Sequence, residues 1–201
     1  MTDAELPELP ENSVCPDSEA AWRAWLAANH TREEGVWLIR FKAGASRSNL
    51  ALEAAIRQAL CFGWIDSLPR ALDEERTMLY FAPRKPGSNW SRINRDRVED
   101  LEAAGLIEPA GAEKIAAARA DGSWSALDPV DRLEVPDDLA RAFELHPGSR
   151  EAWDAFPPST RRGILEWILN AKRPATRARR LEETASLAQR GERANQWPRK
   201  V

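Results

Sequence analysis

The chain has 201 residues, of which 43% are hydrophobic and 30% charged, with a formal net charge of −3. That length allows one large domain or two small ones, and that composition is too apolar for general disorder. The acidic balance excludes a protein dominated by phosphate contacts, but the charge is uneven. Six acids and no Lys or Arg fall in the first twenty residues, and seven bases face one acid between 161 and 180.

Two cysteines, Cys15 and Cys61, follow no metal spacing and build no disulfide framework, which fits a reduced compartment. There is no signal-peptide pattern at the start and no apolar run of membrane-spanning length, so a cytoplasmic protein without membrane insertion is expected. Nine tryptophans are spread evenly along the chain, as expected for core packing at element junctions.

Residues 1–16 are rich in Pro and Glu and read as a disordered acidic arm. Asp17 or Ser18 then offers a cap for a helix over 18–30, with Trp22, Trp25, Leu26 and Asn29 on one face. Val36–Lys42 alternates as a strand. A helix over 50–62 carries an apolar face of Leu52, Ala55, Ile56, Ala59 and Leu60, and Gly63 stops it. Trp64–Leu72 and Arg76–Pro83 read as a hairpin turning on Asp73, Glu74 and Glu75. Helices follow over 91–105, with a stripe of Ile93, Val98, Leu101 and Ala104, and over 108–122. An irregular connection over 123–135 marks a boundary. Beyond it the chain reads as helix throughout, over 136–146, 149–156, 159–171 with Ser159 as cap, and 174–190 with Pro174 in the first turn. The expected class is α+β: a small antiparallel sheet with packed helices over 17–125, an all-helical portion over 136–192, and a frayed tail over 193–201.

The loop from Pro83 to Trp90 is the first candidate site. Two prolines stiffen it, Gly87 relaxes its backbone, Arg84 and Lys85 supply cations, and Ser88 and Asn89 supply donors just before a helix begins. The same residues also suit a structural reading, with Ser88 or Asn89 as the helix cap and Arg84 paired to an Asp. Asp66 sits in a strand, where Asp is disfavoured, and is expected to neutralise Arg70, Arg84 or Arg92, or else to act as a general base or ligand contact. His30 and His146 end helices, and Cys61 reads as a buried thiol. No metal site, cofactor or catalytic triad is proposed, and Asp66 is the one weak catalytic candidate. The third stretch, 171–180, places Thr176, Arg177 and Arg180 on one helical face with Lys172 a turn away. It suits a solvated face or an anionic contact. Glu182 and Glu183 dilute it, so sustained nucleic-acid binding is not expected.

The segments ALCFGWIDS (59–67), FAPRKPGSNWSRIN (81–94), AGLIEPAG (104–111) and ILEWILNAKRPATRARRLEETASLA (164–188) resemble the YdeI/OmpD-associated family, also labelled bacteriocin-protection proteins. The resemblance covers nearly the whole chain after the acidic arm. It implies a link to tolerance of antimicrobial peptides or bacteriocins and carries over no catalytic role. The residues in the matching motifs are Trp64, Asp66, Pro83, Arg84, Lys85, Ser88, Trp90, Asn94, Lys172, Thr176, Arg177 and Arg180. The leading expectation is a non-catalytic binding protein for a small anionic ligand or an acidic protein partner, with Arg177 and Arg180 closing the loop's pocket. The alternatives are an enzyme acting on a small anionic metabolite and a protein–protein adaptor.

Overall fold

The computed structural model describes residues 9–196. They divide into two compact units, one ending at Ser125 and one starting at Ala126.

The first unit starts with β1 (Ser13–Val14) and then α1 (Glu19–Asn29), whose cap is Ser18: its Oγ accepts the Ala21 amide at 3.2 Å. Trp22 and Leu26, one turn apart, are fully buried. β2 (Val36–Phe41) is followed by α2 (Leu52–Cys61), then β3 (Trp64–Ala71) and β4 (Arg76–Pro83). The acidic turn forms because Asp73 Oδ1 accepts the amides of Glu75 and Arg76, while Oδ2 accepts Arg76 Nε at 2.7 Å. α3 (Arg92–Ala103) and α4 (Pro109–Asp121) complete the unit.

The sheet order is β1-β2-β4-β3. β2–β4 and β4–β3 are antiparallel, as expected, and β1 adds a two-residue parallel edge within the stretch expected to be a disordered arm. What orders it is local bonding: Asn12 accepts the Trp37 amide at 3.0 Å and donates its side chain to the Gly35 carbonyl at 2.8 Å. Residues 1–8 of that arm lie outside the described residues. Val36 opposite Phe81 and Leu38 opposite Leu79 point one sheet face at α1 and α2. Trp22, Leu26, Leu60, Trp64 and Trp90 fill the core between them.

Two expected helix faces were too wide. Leu52 is 44% exposed and Ile93 63% exposed, because each stands in the first turn of its helix, ahead of the packed face. Ala104 is exposed as well, leaving Val98 and Leu101 as the buried stripe of α3.

The second unit is helical: α5 (Asp128–Asp131), α6 (Asp137–Glu144), α7 (Ser149–Asp154), α8 (Pro158–Leu169) and α9 (Pro174–Gln189). Its core gathers Leu139, Phe143, Trp153, Ile164, Leu165, Ile168 and Leu181. Three departures stand out. A short helix, α5, occupies the stretch expected to be irregular. Pro157 rather than Ser159 precedes α8, since proline at the first positions needs no amide partner. Ala194, in the expected tail, is 1% exposed and belongs to this core, whereas 197–201 lie outside the described residues. Among the described residues, no helix is long and apolar enough to cross a membrane, and no cluster of metal-ligating side chains occurs.

Candidate functional site

The strongest arrangement of charge and concavity is built on the loop between β4 and α3. Arg84 follows the last residue of β4, and its amide donates to the Gly63 carbonyl at 2.9 Å, tying the loop to the start of β3. Its side chain turns inward and is only 5% exposed. The guanidinium carbon lies 3.5 Å from the centroid of the Trp90 ring, a close cation–π stack. Nη1 donates to the Asn89 carbonyl at 3.2 Å and lies 3.5 Å from Ser88 Oγ, while Nε is buried with no hydrogen-bond partner. Burial pushes the Arg84 pKa down to about 10, and the nearby Asp66 charge opposes that shift. The group therefore stays cationic at neutral pH in surroundings that disfavour its charge.

The rest of the loop folds around that side chain. Ser88 donates its hydroxyl to the Lys85 carbonyl at 2.7 Å, and its amide reaches the same oxygen at 3.2 Å. Gly87 takes a left-handed φ of +68°, which closes the turn. The expectation that Ser88 or Asn89 caps the next helix is corrected: Ser91 is the cap, its Oγ accepting the Asn94 amide at 3.3 Å. The Ser88 hydroxyl hydrogen, expected to be offered to a ligand, is already used within the loop.

Beside the loop lies a cavity of about 170 Å³, lined by the loop residues Arg84 to Ser88 and Trp90 and by Glu113, Lys114, Asp121 and Ser123 around α4. Lys114 lays its stem against Gly63, where an added Cβ would stand 2.7 Å from Lys114 Cγ. At the other end, Ser123 holds the exposed Asp121 carboxyl below the usual carboxylate range. The Ser123 amide contact is 2.8 Å. Lys114, Asp121 and the Glu113 beside Lys114 line the cavity but belong to no motif singled out in the sequence. Lys114, Ala117, Ala118 and Asp121 stand at i, i+3, i+4 and i+7, and that spacing alone puts them on one face.

Other expected site residues serve as framework. Trp64 is fully buried, its Nε1 donating to the His30 carbonyl at 3.2 Å. Trp90 is 1% exposed and offers its ring to Arg84, leaving no face for a ligand. Asn94 is buried, and its Oδ1 accepts Arg97 Nη1 at 2.8 Å. Arg97 also pairs with Glu53, whose hydrogen bonds raise the Arg97 pKa, and Asp66 adds to the rise. Asp66 is half-buried opposite Phe81, and its charge acts on Arg84 and Arg97. Arg84 is among its expected partners.

Lys172, Thr176, Arg177 and Arg180 stand in the second unit. Arg177 grips Asp138 through Nε at 2.6 Å and Nη2 at 3.0 Å, and its Nη1 reaches the Ile168 carbonyl at 3.3 Å. Arg180 stacks over Trp167 at 4.7 Å and donates to the Trp167 carbonyl. Thr176 is half-buried, and Lys172 is exposed.

A family model described as "Domain of unknown function (DUF8412)" matches residues 14–114, just over half the chain. A second, described as "Bacteriocin-protection, YdeI or OmpD-Associated", matches residues 132–191. No curated protein and no solved structure matches the chain. The resemblance to the second family is thus borne out on 164–188, while the motifs at 59–67, 81–94 and 104–111 fall in the first match. The chain belongs to the DUF8412 family, and its second unit is similar to the YdeI/OmpD-associated family over 132–191.

Proposed function

We propose that the chain is a non-catalytic, cytoplasmic binding protein for a small anionic ligand, held in the cavity beside residues 84–88. One observation carries this reading. The Arg84 guanidinium lines that cavity while its hydrogen bonds go only to neutral acceptors, so a buried positive charge stands without a hydrogen-bonded carboxylate. Such a charge is stabilised by whatever anion comes near it. Lys85 and Lys114 add ammonium groups to the lining. The role of Asp66 in this reading is to soften the burial of Arg84. The printed name of the second family supports a link to bacteriocin or antimicrobial-peptide tolerance, with ligand binding as the molecular step.

A thermal-shift panel of inorganic phosphate, sulfate, acetate and citrate tests it on the wild-type chain and on Lys85→Ala, an exposed position that leaves the fold intact. The expected result is stabilisation by at least one anion, weakened in the variant. An equal shift in both proteins, or none in either, removes the loop from the account.

A further inference from the structure

We infer that the ligand of this cavity is a small zwitterion, an aminocarboxylate, rather than a simple anion; the inference rests on the anion-binding reading of the loop. The cavity lining holds charges of both signs. At one end Lys114 lies along Gly63, and Gly63 accepts the Arg84 amide, which brings the Lys114 stem beside the Arg84 backbone. At the other end Asp121 receives the amide of Ser123 at 2.8 Å. Glu113 adds a second carboxylate, exposed beside Lys114.

Lys114 and Asp121 sit on one face of α4 seven residues apart, a rise of roughly 10 Å at 1.5 Å per residue. Their side chains converge on a cavity of about 170 Å³, room for a molecule of a few heavy atoms. A dianion such as phosphate gains from Arg84, Lys85 and Lys114 but meets both carboxylates. A carboxylate tethered to an ammonium gains at both ends. One amide already bonds the Asp121 carboxylate, and its remaining lone pairs can accept from an ammonium, since a carboxylate offers about four acceptor sites. Arg84 at the floor supplies the long-range attraction, and the lysines supply the direct contacts.

Calorimetric titration of the full chain with 4-aminobutyrate, butyrate, n-butylamine and inorganic phosphate decides the matter. The zwitterion is expected to bind about tenfold tighter than either single-charge analogue, the equivalent of one well-placed charge pair. Asp121→Asn and, separately, Glu113→Gln are expected to shrink that preference while leaving butyrate binding unchanged or stronger. Glu113 is exposed on its helix, so its variant keeps the test valid if Asp121→Asn loosens the loop. Equal affinity for butyrate, phosphate and 4-aminobutyrate would overturn the zwitterion and leave the anion site standing. Binding of none of the four overturns both.

Discussion

Arg84 illustrates how a residue chosen for its charge turns out to serve packing as well. The guanidinium is sandwiched into the core by Trp90, and its donors hold the loop's own carbonyl and hydroxyl oxygens. Replacing it with Ala removes that stack and leaves a void, and a loss of about 2–3 kcal/mol in urea unfolding is expected. Arg84→Lys keeps the charge but not the planar stack, so it should recover less than half of the loss. Full recovery by Lys would show that charge alone matters. That Arg84 and Lys85 open a loop and that Asp66 sits on the neighbouring strand was legible from residue type and position. That Trp64, Trp90 and Asn94 face inward was not, because a local motif does not say which side of the chain meets the core. Lys114 and Asp121 went unnoticed for the opposite reason: their helix face is regular, and only the loop folded against it makes them a site.

At the scale of elements, the termini and crossings decide the geometry of the site. Ser91 starts α3 immediately after the loop, so Ser91→Ala should lower stability by about 1 kcal/mol and loosen the turn that carries Arg84. Thermal unfolding and ligand affinity measured together would show whether both fall. α4 reaches its place because Gly111 lets it approach the end of α2: an added Cβ would stand 2.2 Å from the Cys61 carbonyl oxygen. Gly111→Ala is therefore expected to cost about 3 kcal/mol, since backbone must shift to admit the methyl group. An unchanged denaturation midpoint would place that crossing elsewhere. The hairpin, its acidic turn and most helix spans could be read from turn residues and periodicity. The β1 edge could not, because Ser13 and Val14 carry little strand signal, and it is their pairing with β2 that makes them a strand.

For the molecule as a whole, the two family matches follow two compact units, each with its own core. The cavity at the loop is lined by residues 84–123, and Arg177 and Arg180 have partners of their own, so Arg177→Ala and Arg180→Ala should leave ligand affinity within about twofold in calorimetry. Arg177 instead bears on acid stability. Its hydrogen bonds hold the Asp138 carboxyl below the usual range. A lowered native pKa contributes stability that is present above the unfolded value of about 4 and lost as pH falls through the native one. Both partners are about a third exposed, so the contribution is at most about 1 kcal/mol. Asp138→Asn should flatten that part of the acid limb of a stability–pH curve, and an unaltered limb would show the pair to be neutral.

The central claim, a ligand seat between residues 84–88 and α4, is tested most directly by following backbone amide resonances during titration with 4-aminobutyrate and with phosphate. The account predicts that Gly87, Ser88, Lys114 and Ser123 shift together and saturate at one common concentration for at least one of the two. Shifts confined to other residues, or none at millimolar ligand, would contradict it.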